Sequence, residues 1–271
     1  MSQTPVYKFR LEAETPRVSA GGTAREATVS KFPASTGLAG VSMRCKPGGL
    51  RELHWHANAA EWAYVISGTC RTTIVHPDGT RASDDFGPGD VWYFPRGYPH
   101  CIEATGTEEC HFILVFDNGS FSENATFSLT DWLSQTPRHI LAAHLHLSDQ
   151  DLDRLPKGEA YIPLGPVAPA REEPPIGAQR PTSLGHRYPL GAQPPAEYSG
   201  GSLRIVSRNE FPISTTMAGG LLHLQPGGVR EMHWHPTANE WQYIVKGSIR
   251  MTVFESQGKS QTVDLQAGDV G

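Results

Sequence analysis

Residues 47–68 read PGGLRELHWHANAAEWAYVISG, and residues 226–247 read PGGVREMHWHPTANEWQYIVKG. The spacing is the same in both, and sliding the chain against itself by 179 residues extends the match without a gap, from Gly21 on Gly200 to Val91 on Val270. Phe32-Pro33 falls on Phe211-Pro212, and Gly89-Asp90-Val91 falls on Gly268-Asp269-Val270. One folding unit is therefore used twice. The same offset sends His100 to position 279 and the apolar run HFILVF (111–116) to 290–295, beyond Gly271. The second copy is thus read as incomplete, either through truncation or by nature, with an open sheet edge.

Working outward, each copy is made of short β-rich segments: WAYVI (62–66), RTTIV (71–75), VWYF (91–94), HFILVF (111–116), WQYIV (241–245) and RMTVF (250–254). Gly, Pro and Asp-Gly turns such as Asp78-Gly79 separate them, which is the pattern of antiparallel strands joined by tight connections. With 28 glycines, 22 prolines and only 19% charged residues in 271, turns are dense, and the expected class is all-β, a jelly roll or barrel in each copy. Helical signals fall between the copies. Residues 129–156 hold Asp131-Trp132-Leu133, Ile140-Leu141 and a capping pair of Ser148 with Asp151, ended by Pro156, so two or three short helices are expected there. Residues 161–200 carry nine prolines and read as an irregular arm. The resulting boundaries are an N-terminal arm over 1–40, a first domain over 41–128, helices and arm over 129–199, and a second domain over 200–271.

Several function classes are disfavoured at once. A net charge of -5 with 23 Lys and Arg scattered along the chain provides no basic stripe for phosphates, so no nucleic-acid partner is expected. No apolar run approaches the ~20 residues that span a bilayer, and MSQTPVYKFRLEAET lacks a signal-peptide core. No membrane contact and a soluble, cytoplasmic protein are expected. The four cysteines, Cys45, Cys70, Cys101 and Cys110, fit neither a zinc ribbon nor a CxxC redox pair and read as buried thiols.

Chemistry concentrates at the centre of the repeat. Residues i and i+2 of a strand face the same side, so His54 and His56 aim both imidazoles into one interior. Glu61 is the third candidate, delivered from the next strand after a turn through Asn58-Ala59-Ala60, and His100 is the fourth, from a later strand. Three imidazoles and a carboxylate suit a divalent Mn, Fe, Co, Ni or Zn ion and leave coordination positions open. The set recurs as His233, His235 and Glu240, without a fourth member. The remaining histidines (His76, His111, His139, His144, His146, His186 and His223) lack such spacing and read as structural or solvated. Trp55, Trp62, Trp234 and Trp241 have the opposite strand parity and should point away from the ion, onto the arm, the other copy or a neighbouring subunit.

At these residues the chain resembles the cupin superfamily: Gly48 through Gly68 and Gly89 through His100 fit its two motifs. The fragments RELHWH (51–56), EWAYVI (61–66), WYFP (92–95) and LVFDNGSFSENATF (114–127), with EWQY and RMTVF in the second half, make it similar to bicupin oxalate decarboxylases over nearly the whole chain. The resemblance implies two cupin jelly-roll barrels in tandem with short helices between them, the second barrel incomplete. It also implies one Mn(II) per cupin, held in the first by His54, His56, Glu61 and His100. Oxalate plus a proton would become formate and CO2, with O2 required but not consumed, in a homo-oligomer, a trimer or hexamer. Arg51 would supply the fixed cation for the dianion, since guanidinium matches a carboxylate bidentately; Arg230 is its second-copy equivalent. Strict strand alternation, however, puts Arg51 opposite the histidines, so a bulge is required after Gly48-Gly49. Ser122-Glu123-Asn124-Ala125-Thr126 resembles the family's lid, with Glu123 as general acid. Ala125 stands where the lid more often has serine, and the spacer Ala57–Ala60 has four residues where the first cupin commonly has three. The rival readings are an oxalate oxidase giving CO2 and peroxide, and a non-catalytic metal-binding bicupin.

Overall fold

The structure is a computed structural model that describes residues 6–169, 175–178 and 180–271. Strands occupy most of the first half: β1 (Arg17–Ser19), β2 (Gly22–Ala27), β3 (Ala39–Cys45), β4 (Leu50–Trp55), β5 (Glu61–Ser67), β6 (Cys70–Val75), β7 (Arg81–Phe86), β8 (Val91–Phe94), β9 (His100–Ala104), β10 (Cys110–Phe116) and β11 (Phe127–Ser128). Three helices follow, α1 (Leu129–Gln135), α2 (Arg138–Leu145) and α3 (Asp149–Arg154), and the Ser148–Asp151 capping box opens the third. The second half holds β12 (Arg187–Tyr188), β13 (Ala196–Tyr198), β14 (Gly201–Val206), β15 (Gly219–Leu224), β16 (Ser248–Phe254) and β17 (Ser260–Gln266). The chain is mostly β, two units related by the 179-residue repeat with a few short helices between them. Among the described residues no helix is long and apolar enough to cross a membrane.

The first barrel is two antiparallel sheets face to face, one in the order β1-β2-β3-β10-β5-β8-β12 and the other β11-β4-β9-β6-β7. Alternation decides what each side chain meets. In β5, Ala63 and Val65 enter the barrel core with Met43, Trp92, Phe94 and Phe112. Their neighbours Trp62 and Tyr64 point outward, into a second cluster with Val206, Phe211 and Ile213 of the other half. Both faces are therefore buried, which is why EWAYVIS reads as nearly continuous apolar sequence. Glu61 shares the parity of Ala63 and Val65, so it too is interior. Glycine is required at two turns: Gly48 and Gly68 have φ of 78° and 71°, and a Cβ at either would collide with a backbone carbonyl, of Gly165 and Glu109 respectively.

The stretch expected to be an N-terminal arm supplies β1 and β2, and β2 pairs along β3 from Gly22↔Cys45 to Ala27↔Gly40. Ahead of it, Phe9 exchanges both backbone hydrogen bonds with Val270. Tyr188 of the Pro-rich arm pairs with Val91 in the same way. These two contacts are related by the 179-residue offset, so each half finishes the other's sheet.

One expected strand is absent. Residues 241–245 form only a bridge, Tyr243↔Val270, whereas β5, their first-half counterpart, is paired on both sides, by β10 and β8. The helix-rich and strand-rich segments expected elsewhere lie within the elements named above. Cys45, Cys70 and Cys110 are buried free thiols, while Cys101 is only half-buried.

Candidate metal centre

The centre is assembled by one irregularity in β4. Against β9, Arg51 faces Ile102 but His54 faces His100, a register shift of one residue between them. The bulge turns Arg51 inward although it lies an odd number of residues from His54. Leu53 is left on the outside, 52% exposed, while Arg51, His54 and His56 are buried. β5 delivers Glu61 and β9 delivers His100. One donor atom from each of His54, His56, Glu61 and His100 lies within 4.8 Å of all the others.

Each donor is oriented from behind. The Nδ1 atoms of His54 and His100 lie 2.6 Å and 2.8 Å from the carbonyls of Glu52 and Tyr98, which fixes the proton on Nδ1 and leaves both Nε2 lone pairs facing the centre. The indole of Trp92 donates to Glu61 Oε1 at 2.8 Å, so Oε2 is the free oxygen, 3.0 Å from His56 Nε2 and 3.5 Å from His100 Nε2. Phe116 and Phe121 pack edge-on to His56, and Phe94 stacks on His100. Burial, with the charges of Arg51, His100 and His56, holds His54 well below the ordinary histidine range, and burial lowers His56 as well. Both are thus neutral and able to donate lone pairs. Burial alone would raise Glu61, but the adjacent imidazoles of His100 and His56 hold its carboxyl well below the usual carboxylate range.

Arg51 and Glu123 form a buried ion pair beside the cluster, Nη2 to Oε2 at 3.0 Å. Ser122 caps the short turn Glu123–Ala125, accepting from the Asn124 N–H, and Thr126 Oγ1 reaches His56 Nδ1 at 3.4 Å. Two residues that sequence reasoning passed over complete the pair's surroundings. Tyr161, buried in the arm with φ 60°, has Arg17 3.6 Å and Arg51 4.5 Å from its ring centroid, and its carbonyl accepts from Arg51 Nη1. Glu52 receives the Tyr161 N–H at 2.7 Å and the Thr130 hydroxyl. A lone tyrosine among prolines carries no periodic signal; its left-handed backbone is a tertiary fact.

In the second half, His233, His235 and Glu240 also meet within 4.8 Å, but all three are exposed. Glu240 Oε2 lies 2.7 Å from His235 Nε2 and 3.5 Å from His233 Nε2. Arg230 lies in irregular chain, 3.8 Å from Glu231. Of the tryptophans, Trp55 stacks on Phe127 and Trp62 meets Gly219 of the other half; Trp241 meets Gly40, and Trp234 is 83% exposed. The buried His111 and His186 bond to Ser42 and Thr72.

A family model described as cupin matches residues 9–153 and 189–271. The chain is 46% identical over 265 residues to oxalate decarboxylase OxdC of Bacillus subtilis, covering 97% of this chain and 68% of that protein. It is 33% identical over 270 residues to a probable oxalate decarboxylase of Arthroderma benhamiae, covering 98% and 66%. It therefore spans about two thirds of the length of these curated relatives. A solved structure of Bacillus subtilis oxalate decarboxylase, from work on that enzyme's Mn(II) centres, superposes with a TM-score of 0.92 at 44% identity, covering all of this chain and 72% of that one.

Proposed function

The chain belongs to the cupin family and, within it, to the bicupin oxalate decarboxylases, and from that premise we propose that its first half converts oxalate to formate and CO2 at a Mn(II) ion held by His54, His56, Glu61 and His100. The observation that carries the reading is the convergence of these four buried donors beside the Arg51–Glu123 pair. Their fit to a cation is supported by His100 Nε2, a buried nitrogen with no hydrogen-bond partner, and by a donor set of three imidazoles and one carboxylate. Bound there, Mn(II) supplies a Lewis-acidic anchor for one end of the dianion and, with O2 that is not consumed, a one-electron oxidant.

The protein's own groups then divide the work. Arg51 offers two N–H donors to the carboxylate at the far end of oxalate, but its Nη2 is engaged by Glu123. Substrate that takes over the guanidinium frees Glu123. Its Oε1 is already buried and unpartnered, and, once protonated, this carboxyl is the group that delivers a proton to the carbon left when CO2 departs. The aromatic wall of Phe94, Phe116 and Phe121 and the lid over the centre, with Glu123 buried beneath it, exclude water, so the proton arrives from Glu123. The exposed trio His233, His235 and Glu240 is the second, weaker cation site. We further propose a homo-oligomer, supported by the exposed Trp132, Met232 and Trp234, which assembly would cover.

The test is to supply oxalate to aerobic, Mn-loaded protein at mildly acid pH and measure formate and peroxide. Formate near one per oxalate is the expected result. Peroxide without formate would make the protein an oxidase, and neither product with metal bound would leave it a binding protein.

A further inference from the structure

We infer that Glu26 is the positioning residue that keeps segment 122–126 shut over the centre, and thereby keeps turnover on the decarboxylating route; the second clause rests on the function proposed above. Glu26 stands on β2, which is hydrogen-bonded along β3 and so is part of the rigid sheet. Its Oε2 accepts the backbone N–H of Glu123 at 3.2 Å and the hydroxyl of Ser122 at 3.4 Å. Its Oε1 lies 3.8 Å from Lys31 Nζ. The amide at the start of a helical turn has no partner within the turn. Ser122 Oγ takes the Asn124 N–H, which leaves the Glu123 N–H to an acceptor from outside, and Glu26 is that acceptor.

Glu123 is thus gripped twice, by Glu26 at its backbone and by Arg51 at its carboxyl. Only the first grip can survive turnover, because oxalate needs the Arg51 guanidinium. When substrate displaces the Glu123 carboxyl, the bonds to Glu26 are what hold the Ser122–Glu123 end of the segment to the sheet, the Thr126 end being held separately at His56. A cavity of about 130 Å³, lined among others by Arg17, Arg25, Lys31, Glu26 and Glu123, opens beside these bonds, so packing does not substitute for them there. The 179-residue offset puts Ile205, 53% exposed, at the matching place in the second half, so the acceptor belongs to the first copy alone.

Were the grip lost, Glu123 would leave before the proton transfer. Oxalate would then lose both electrons to dioxygen, cleaving its C–C bond to give two CO2, while O2 and two protons become hydrogen peroxide. The test compares Glu26→Ala and Glu26→Gln with the parent chain, all Mn-loaded. Amide hydrogen exchange over 121–127 is read without oxalate, together with Mn content and the formate and peroxide formed per oxalate. In Glu26→Ala, exchange rises about tenfold or more, the scale of losing a charge-assisted hydrogen bond. Mn content is unchanged, and the peroxide share rises at least about threefold, since the freed segment no longer presents Glu123. Glu26→Gln keeps a carbonyl acceptor of the same shape and restores the formate share. Unchanged exchange in Glu26→Ala overturns the inference, as does faster exchange with an unaltered product split. If the parent chain makes neither product, the functional reading fails by itself, and exchange alone decides whether Glu26 holds the segment.

Discussion

Glu123 and Glu61 are both buried carboxylates in contact with arginine or histidine, yet the structure sets them different tasks. Glu61 is fixed by Trp92, His56 and His100, so it serves as a permanent anionic donor. Glu123 has one ion-pair partner and one idle oxygen, so it is free to exchange partners. Substituting Glu123→Ala is expected to cut formate production by roughly 10²–10⁴, the contribution of a positioned proton donor, with Mn content unchanged by metal analysis; loss of the metal would contradict the role. Trp92→Phe removes the indole hydrogen bond to Glu61 Oε1 and is expected to weaken Mn binding by about 10–100-fold, as removal of a hydrogen bond that orients a metal donor does, measured by competition with a chelator. Acid should do less harm at the donors. Burial favours the neutral form of His54, so protons do not compete for its Nε2 in the range where an ordinary histidine charges, near about 6.5. Mn occupancy of the first cluster is accordingly expected to hold from pH 7 down to about pH 5 on dialysis.

Elements explain which of these groups could be read from sequence. His54, His56 and Glu61 are legible because strand parity and one turn place them, and the 179-residue recurrence marks the pattern as purposeful. Arg51 is legible only as a conflict: alternation points it outward, and the bulge that turns it inward depends on how β4 meets β9. Tyr161 and Glu26 are not legible, since each acts across 38 or more residues of chain through a backbone or carboxylate contact that leaves no periodic trace. WQYIV (241–245) reads as a strand on composition, but its pairing is confined to the Tyr243↔Val270 bridge and the hydrogen bonds around it, whereas β5 is paired along both edges. The arm follows the same rule, because its order comes from docking. His186 is inserted between Phe86 and Phe94 with its Nε2 2.7 Å from Thr72 Oγ1. Burial and the nearby His76 and His100 push it down to about 3, even with the Asp84 carboxylate 3.2 Å away, since that carboxylate is 39% exposed and solvated. The folded form therefore refuses a proton that the unfolded chain accepts near pH 6.5. Between about 6.5 and 3 stability falls as pH falls, by up to about 1.4 kcal/mol per pH unit from this group. His186→Gln is expected to flatten that limb of the urea-denaturation profile by one proton; an unchanged slope would show that the arm is not held by a neutral imidazole.

At the scale of the molecule, the repeat predicts two copies but not that they are interlocked. The bridge of Phe9 with Val270 and the pairing of Tyr188 with Val91 are symmetry mates under the 179-residue offset. So are two tight contacts: Trp241 lies over Gly40 where Trp62 lies over Gly219, and a Cβ on either glycine would overlap the indole. Leu11, Phe32 and Val270 form one shared apolar cluster, and Leu190, Phe211 and Val91 form its counterpart. Neither half buries its outer strand faces without the other, so unfolding one exposes the core surface of its partner. A single cooperative transition is expected in calorimetry, although a chain of this length with two repeated halves would ordinarily be free to show two. Gly40→Ala and Gly219→Ala test this from opposite sides. Each forces an overpacked contact costing about 1–3 kcal/mol, equivalent to a fall in Tm of roughly 2–10 °C for a protein of this size. If the halves are locked together, both substitutions displace the same single peak. If instead the peak splits, or Gly219→Ala moves one component and leaves another in place, the halves are independent and the exchanged segments are decoration on two separately stable units.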